Sequence, residues 1–212
     1  MLMDPGKMAV IALFAFSMVA SPGPVNMLLM ASGANFGFRR SLPFLLGCIS
    51  GFLLVCLATA LGLGTLFTTS PVLQLVFLGV SLLYILYLAY RIATSNPEIV
   101  ESADRPGYLA GLILHPLNPK AWVAVIAAYS QFISPDTDYT TQVIVIIVIF
   151  TLIGLPFNSL WCYGGNLLRR LVTAPRLMRL INVTLALLML VAVGIALMQA
   201  DFIAPLRAAG MQ

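Results

Sequence analysis

Six apolar stretches follow one another along the chain, Met8–Ala31, Leu42–Phe67, Val72–Ile92, Tyr108–Ile133, Thr141–Tyr163 and Leu180–Met198. Each is about as long as the ~20 residues a helix needs to cross a bilayer. The pattern predicts an all-α, polytopic membrane protein with six transmembrane helices, forming one integral membrane domain over residues 1–212. Most connections are short. Ala93–Gly107 is polar, with Asn96-Pro97, Glu98, Glu101, Asp104 and Arg105-Pro106, and Gly164–Arg179 is Arg-rich. A polar linker over 94–107 divides the spans three plus three, giving candidate repeat halves at about 1–93 and 108–200.

Two of the apolar stretches are interrupted. Ser21-Pro22-Gly23-Pro24 lies inside the first, and His115-Pro116-Leu117-Asn118-Pro119-Lys120 lies early in the fourth. Proline lacks an N–H and its ring clashes with the carbonyl four residues back. Pro22 and Pro24 therefore release the carbonyls of Met18 and Ala20, and Pro116 and Pro119 release those of Leu112 and His115. At membrane depth such backbone is tolerated only where protein buries it or a wet cavity meets it. Paired breaks at corresponding places in two halves of opposite direction are the pattern of inverted repeats with a transport site between them. The other reading of each break is an ordinary proline kink.

Composition agrees with a membrane protein, with 61% hydrophobic and 8% charged residues, where soluble domains carry about a quarter charged. The formal charge of +4 is spread between spans as flanking Arg rather than clustered, which argues against nucleic acid. Lys7 before an apolar run resembles a signal peptide, but the run resumes after Pro24 and is expected to be a retained span. Cys48, Cys56 and Cys162 lie in apolar runs with no Cys-x-x-Cys pair and are expected to be packing residues.

Orientation follows from the basic residues. Arg39, Arg40, Arg91, Arg105, Arg169, Arg170, Arg176 and Arg179 fall on one side, against Lys7 and Arg207 on the other. Eight against two predicts both termini on the periplasmic or exterior side of a bacterial inner membrane. The acids Asp4, Glu98, Glu101, Asp104, Asp136, Asp138 and Asp201 all lie in loops or at span ends. No carboxylate is expected at mid-membrane, which counts against a metal-cation exporter. Gly47-x-x-x-Gly51, Gly62-x-Gly64 and Gly107-x-x-x-Gly111 are expected to pack helices closely. Tyr84, Tyr87 and Tyr90 fit an aromatic belt, Tyr84 being deep enough to line a path instead.

The breaks supply candidate chemistry. New half-helices start near Pro24 and Pro119, and their first N–H groups suit a carboxylate. The dipole adds ~0.3–2 kcal/mol per end. Freed carbonyls suit an ammonium, so a zwitterion matches both. Lys120, expected far from either span end, costs roughly 2.5–3.5 kcal/mol to insert and so calls for an anion or a cavity unless it snorkels. His115 either relays protons or holds the kink. Asn26 and Asn158 either read a substrate or lock helices.

These residues resemble the lysine/threonine exporter family of bacterial amino-acid efflux proteins (LysE-type and RhtB-type). Ser21-Pro22-Gly23-Pro24 is similar to the family's Ser/Thr-Pro-Gly-Pro-Asn, although Val25 stands where that Asn is common. Gly37-Phe38-Arg39-Arg40-Ser41 with Gly47 and Gly51, Leu117-Asn118-Pro119-Lys120, and Asn158-Ser159-Leu160-Trp161 with Gly164 and Gly165 continue the likeness. His115-Pro116 stands where many members have a small polar residue.

The resemblance implies a secondary exporter of amino acids or close derivatives driven by the proton gradient, with no cofactor and with room for a homo-oligomer. No Gly-x-x-x-x-Gly-Lys-Ser/Thr motif offers ATP instead. One charge moved across ~100 mV supplies about 2.3 kcal/mol, some ~40-fold in concentration. The expected substrate-binding residues are Ser21, Pro22, Gly23, Pro24, Asn26, Asn118, Pro119, Lys120 and Asn158, with His115 and Lys120 as proton-coupling candidates. The rival classes are a passive channel or structural membrane protein, and a membrane redox carrier or enzyme, for which the spans offer no reactive pair.

Overall fold

The computed structural model describes residues 3–64, 69–95, 105–135, 137–172 and 174–199. These form α1 (Pro5–Ala20), α2 (Pro24–Phe36), α3 (Phe38–Ala60), α4 (Pro71–Ala93), α5 (Tyr108–Leu114), α6 (Pro119–Phe132), α7 (Tyr139–Leu171) and α8 (Pro175–Gln199). No strand occurs among the described residues. Helices α3, α4, α7 and α8 are each long and apolar enough to cross a membrane. The pairs α1–α2 and α5–α6 become two further spans when each is taken as one helix, bent by 56° and 57° at its break. The six-span expectation therefore holds with both breaks where the prolines fall.

Local sequence sets the helix starts. Pro5, Pro24, Pro71 and Pro119 occupy first-turn positions, where the missing N–H costs nothing and φ is already helical. Asp4 and Ser70 cap α1 and α4 by accepting from the Lys7 and Leu73 N–H groups. Asp138 caps α7, accepting from Thr141 N at 2.7 Å and Thr141 Oγ1 at 2.8 Å. These bonds favour the charged carboxylate and hold Asp138 below the usual range.

Two ends differ from expectation for physical reasons. The second span stops at Ala60 rather than Phe67 because Gly62 takes φ +93°, the left-handed conformation that terminates helices. Gly62 is thus a stop signal with open space around it, while Gly64 packs closely on Thr59 and on Ile126 of α6; residues 65–68 lie outside the description. The fifth span continues past Tyr163 to Leu171, so most of the predicted Arg-rich connection is helix. There Gly164 and Gly165 are helical residues, and Gly165 lies against α2 rather than in a turn. The linker acids Glu98, Glu101 and Asp104, with Asp136, Asp201 and Arg207, also lie outside the described residues.

Two backbone seams fix the packing. A Cβ at Gly33 would fall 1.9 Å from the Cys162 carbonyl oxygen, and one at Gly165 would fall 1.9 Å from that of Met30. Helices α2 and α7 therefore touch main chain to main chain, as small residues in membranes permit. Gly47, Gly51 and Gly111 do the same for α3 and α5, each at a point where a Cβ would collide with a partner carbonyl. Gly107, expected to join that seam, faces open space.

The buried apolar residues fall into two clusters, one at each end of the bundle. One gathers α2, α4 and α8 around Leu29, Ile85 and Met189, with Cys48 and Cys162. The other gathers α1, α6 and α7 around Ile11, Val125 and Phe150, with Cys56. Outward side chains such as Leu13, Leu83 and Leu152, each about 70% exposed, present a hydrocarbon surface that suits lipid. The two breaks lie where the clusters meet.

Adding a methyl at a seam should cost about 1–3 kcal/mol. Gly165→Ala is expected to lower the thermal unfolding midpoint in detergent, and Gly79→Ala, where nothing lies within 4 Å, to leave it in place.

Candidate functional site between the two breaks

The first break takes care of some of its own loose ends. The Ser21 hydroxyl donates to the Met18 carbonyl at 3.0 Å, the group Pro22 releases. The Asn26 amide donates to the Val19 and Ser21 carbonyls, both at 3.0 Å. Asn26 thus spends its N–H groups holding the break in shape. At the second break, Asn118 N–H donates to the His115 carbonyl at 3.0 Å and Trp122 Nε1 donates to the Pro116 carbonyl at 3.0 Å.

The two half-helix starts then differ. Asn118 caps α6, its side-chain oxygen accepting from Lys120 N at 3.2 Å. Gly23 caps α2 and has no side chain to offer. Both starts were expected to be open to a carboxylate. Only α2 keeps its first-turn N–H groups clear of a side-chain cap, and it begins on the wall of a cavity.

Lys120 joins the breaks. Its Nζ donates to Ser21 Oγ at 2.8 Å, to the Ser21 carbonyl at 3.0 Å and to the Pro22 carbonyl at 3.4 Å. It does not snorkel: the ammonium is held in a cradle of oxygens supplied by the opposite break. A Cβ at Gly23 would lie 3.2 Å from that nitrogen, so glycine is what lets the lysine close in.

The cavity beside this contact has a volume of about 70 Å³, room for several waters. Gly23, Asn26, His115, Asn118, Lys120 and Asn158 line it. Of the other expected residues, Ser21 and Pro22 touch it only through their bonds to Lys120, and Pro24 and Pro119 start the two helices without entering its lining. Of the remaining wall, sequence patterns did not single out Ile49, Phe52, Phe150 and Thr151. Phe52 stacks on Phe150 with ring centroids 5.5 Å apart, and His115 stands edge-on to Phe52 at 5.3 Å. No group of three or more potential metal ligands occurs among the described residues.

A larger cavity of about 640 Å³ opens at the Arg-bearing end, lined by Tyr84, Tyr87, Arg91 and Arg105 among others. Tyr84 and Tyr87 thus both border this cavity, while Tyr90 faces outward. Successive turns of α2 border the small cavity at Val25 and Asn26 and the large one at Leu28, Ala31 and Ser32. Two buried polar clasps flank the site along the bundle. Asn35, Ser95 and Asn182 bond mutually at 2.8–3.4 Å and tie α2, the end of α4 and α8. Gln142 bonds Ser134 and Thr137 at 2.8–3.0 Å near the other end. Amides inside apolar runs were the available signal for both.

The model of the LysE type translocator family matches residues 16–200. The chain belongs to that family. It is a multi-pass membrane transporter and not an enzyme. Among its relatives, a cysteine/O-acetylserine efflux protein of Salmonella typhimurium is 33% identical over 170 residues, 80% of this chain and 86% of the relative. One of the same name from Escherichia coli O1:K1 is 30% identical over 188 residues, 88% of this chain and 95% of the relative. No solved structure matches the chain. Within this translocator the two breaks meet beside the cavity, through Lys120 on Ser21 and Pro22.

Replacing Asn26 by Leu should remove the side-chain donor of the Val19 carbonyl and leave the Ser21 carbonyl to Lys120 alone. A loss of about 1–3 kcal/mol is expected, read as a lowered midpoint in detergent unfolding of the purified translocator.

Proposed function

We propose that this translocator exports amino acids or close derivatives across the bacterial inner membrane by proton antiport, both termini lying outside. Its relatives are named for efflux of cysteine and O-acetylserine, and small zwitterions of that size suit the cavity between the breaks. Matching bends of 56° and 57° support halves of about 1–93 and 108–200 related as inverted repeats.

The observation that carries the reading is the occupied cradle. Lys120 rests where a substrate ammonium would bind, on the Ser21 and Pro22 oxygens. The open start of α2 beside it suits the substrate carboxylate. One cradle cannot hold two ammonium groups. When substrate arrives from the inside through the Arg-lined cavity, its ammonium displaces Lys120, which gives up its proton. After the substrate leaves on the outside, Lys120 takes a proton there and returns to the cradle.

Each cycle moves one zwitterion out and one proton in, with one net positive charge inward. A transmembrane potential of ~100 mV then contributes about 2.3 kcal/mol per turnover. Mutual exclusion at the cradle is what prevents either traveller from slipping across alone, and it places the coupling on Lys120 rather than on a relay of side chains.

Cells loaded with labelled amino acids should release them faster when they carry the protein, and an uncoupler should abolish the uphill part. Retention of every amino acid at control rates would contradict the exporter reading. Lys120→Met should lose uphill, uncoupler-sensitive transport in proteoliposomes while retaining some downhill exchange; full proton-coupled efflux in that variant would remove the coupling from Lys120.

A further inference from the structure

The Lys120 cradle and the α2 start account for the two charged groups of a zwitterion, and so leave its side chain to the rest of the cavity. His115 is a polar group there whose ring nitrogens the chain itself leaves unmet. Both Nδ1 and Nε2 are buried and neither has a hydrogen-bond partner. Leaving such groups unpaired is costly in a buried site, a cost that a bound partner would remove. The ring is held by its edge-on contact with Phe52, itself stacked on Phe150, so its orientation is set before any ligand arrives.

We infer that His115 is a specificity-determining residue that hydrogen-bonds the substrate's side chain and selects neutral amino acids with a short polar group. The assignment rests on the amino-acid reading above. A neutral imidazole offers one donor and one acceptor, so it can meet a hydroxyl, a thiol or an acyl carbonyl. The wall beside it, Ile49, Phe52 and Phe150, admits little bulk. The cavity lining contains Lys120 and no carboxylate, so a lysine-like side chain would bring a second cation with nothing to balance it. An aliphatic side chain would fit but leave His115 unpaired, and a site with unpaired polar groups discriminates against the analogue that lacks the partner.

The test compares serine with 2-aminobutyrate, which replaces the hydroxyl by a methyl of similar size, in exchange assays on the purified protein in proteoliposomes. Wild type should prefer serine by ~10-fold or more, the value of roughly one to two hydrogen bonds, and should exchange lysine poorly. His115→Leu should bring the serine to 2-aminobutyrate ratio to about one or below, and His115→Gln, which retains a donor and an acceptor, should restore most of the preference. A wild-type ratio near one, an unchanged ratio in His115→Leu, or lysine exchanged as readily as serine would each overturn the assignment. So would a variant that loses uncoupler sensitivity while keeping selectivity, since His115 would then serve coupling. If His115→Leu does not fold, the wild-type ratio and His115→Gln decide. Failure of wild type to exchange any amino acid would instead overturn the function on which the inference rests.

Discussion

Much of this protein depends on one contact: an ammonium from the second broken helix resting on main-chain oxygens of the first. Carbonyls left outside the helix ladder at a break need a donor at membrane depth, and a lysine at the same depth needs acceptors. Each break therefore answers the other's requirement. The pairing explains why Gly23 has to be small, why Ser21 contributes both a hydroxyl and a carbonyl, and why Asn118 turns inward to cap its own helix. With that cap in place, the two half-helix starts are unequal, and of the two only α2 keeps its first-turn N–H groups clear of a side-chain cap.

The placement of the cores follows the same logic. An apolar cluster packs each end of the bundle, and neither continues unbroken through the level of the breaks. Polar backbone has been concentrated in a narrow layer, with hydrocarbon packing above and below to keep it from bulk water. The Asn35–Ser95–Asn182 and Gln142 clasps sit beyond that layer, where they join separate helices without competing for the carbonyls of the site.

Six spans and two breaks were legible because their signals are coarse: runs of apolar residues as long as a bilayer is thick, and prolines within two of them. The meeting of Ser21 with Lys120 was half legible. Its chemistry could be read from the freed carbonyls and the isolated lysine, but 99 residues separate the partners, and a linear pattern carries no distance. Gly62 and Gly165 show why glycine was hardest to read. The same residue ends α3 in one place and joins two helices in another, and only φ and the neighbouring backbone distinguish the cases. Phe52 and Phe150 stayed invisible because an aromatic residue in an apolar span looks alike whether it faces lipid, core or cavity.

The glycine seams have a mechanical meaning. They join α2 to α7 and α5 to α3, so each pair takes one helix from before the polar linker and one from after it. Any rearrangement that preserves those main-chain contacts moves α2 with α7 and α5 with α3. The bundle would then work as two crossed levers, each composed of both sequence halves, pivoting at the proline breaks. A swing of one lever against the other draws Lys120 and Ser21 apart or together, so the contact that holds the site is also the latch between the moving parts.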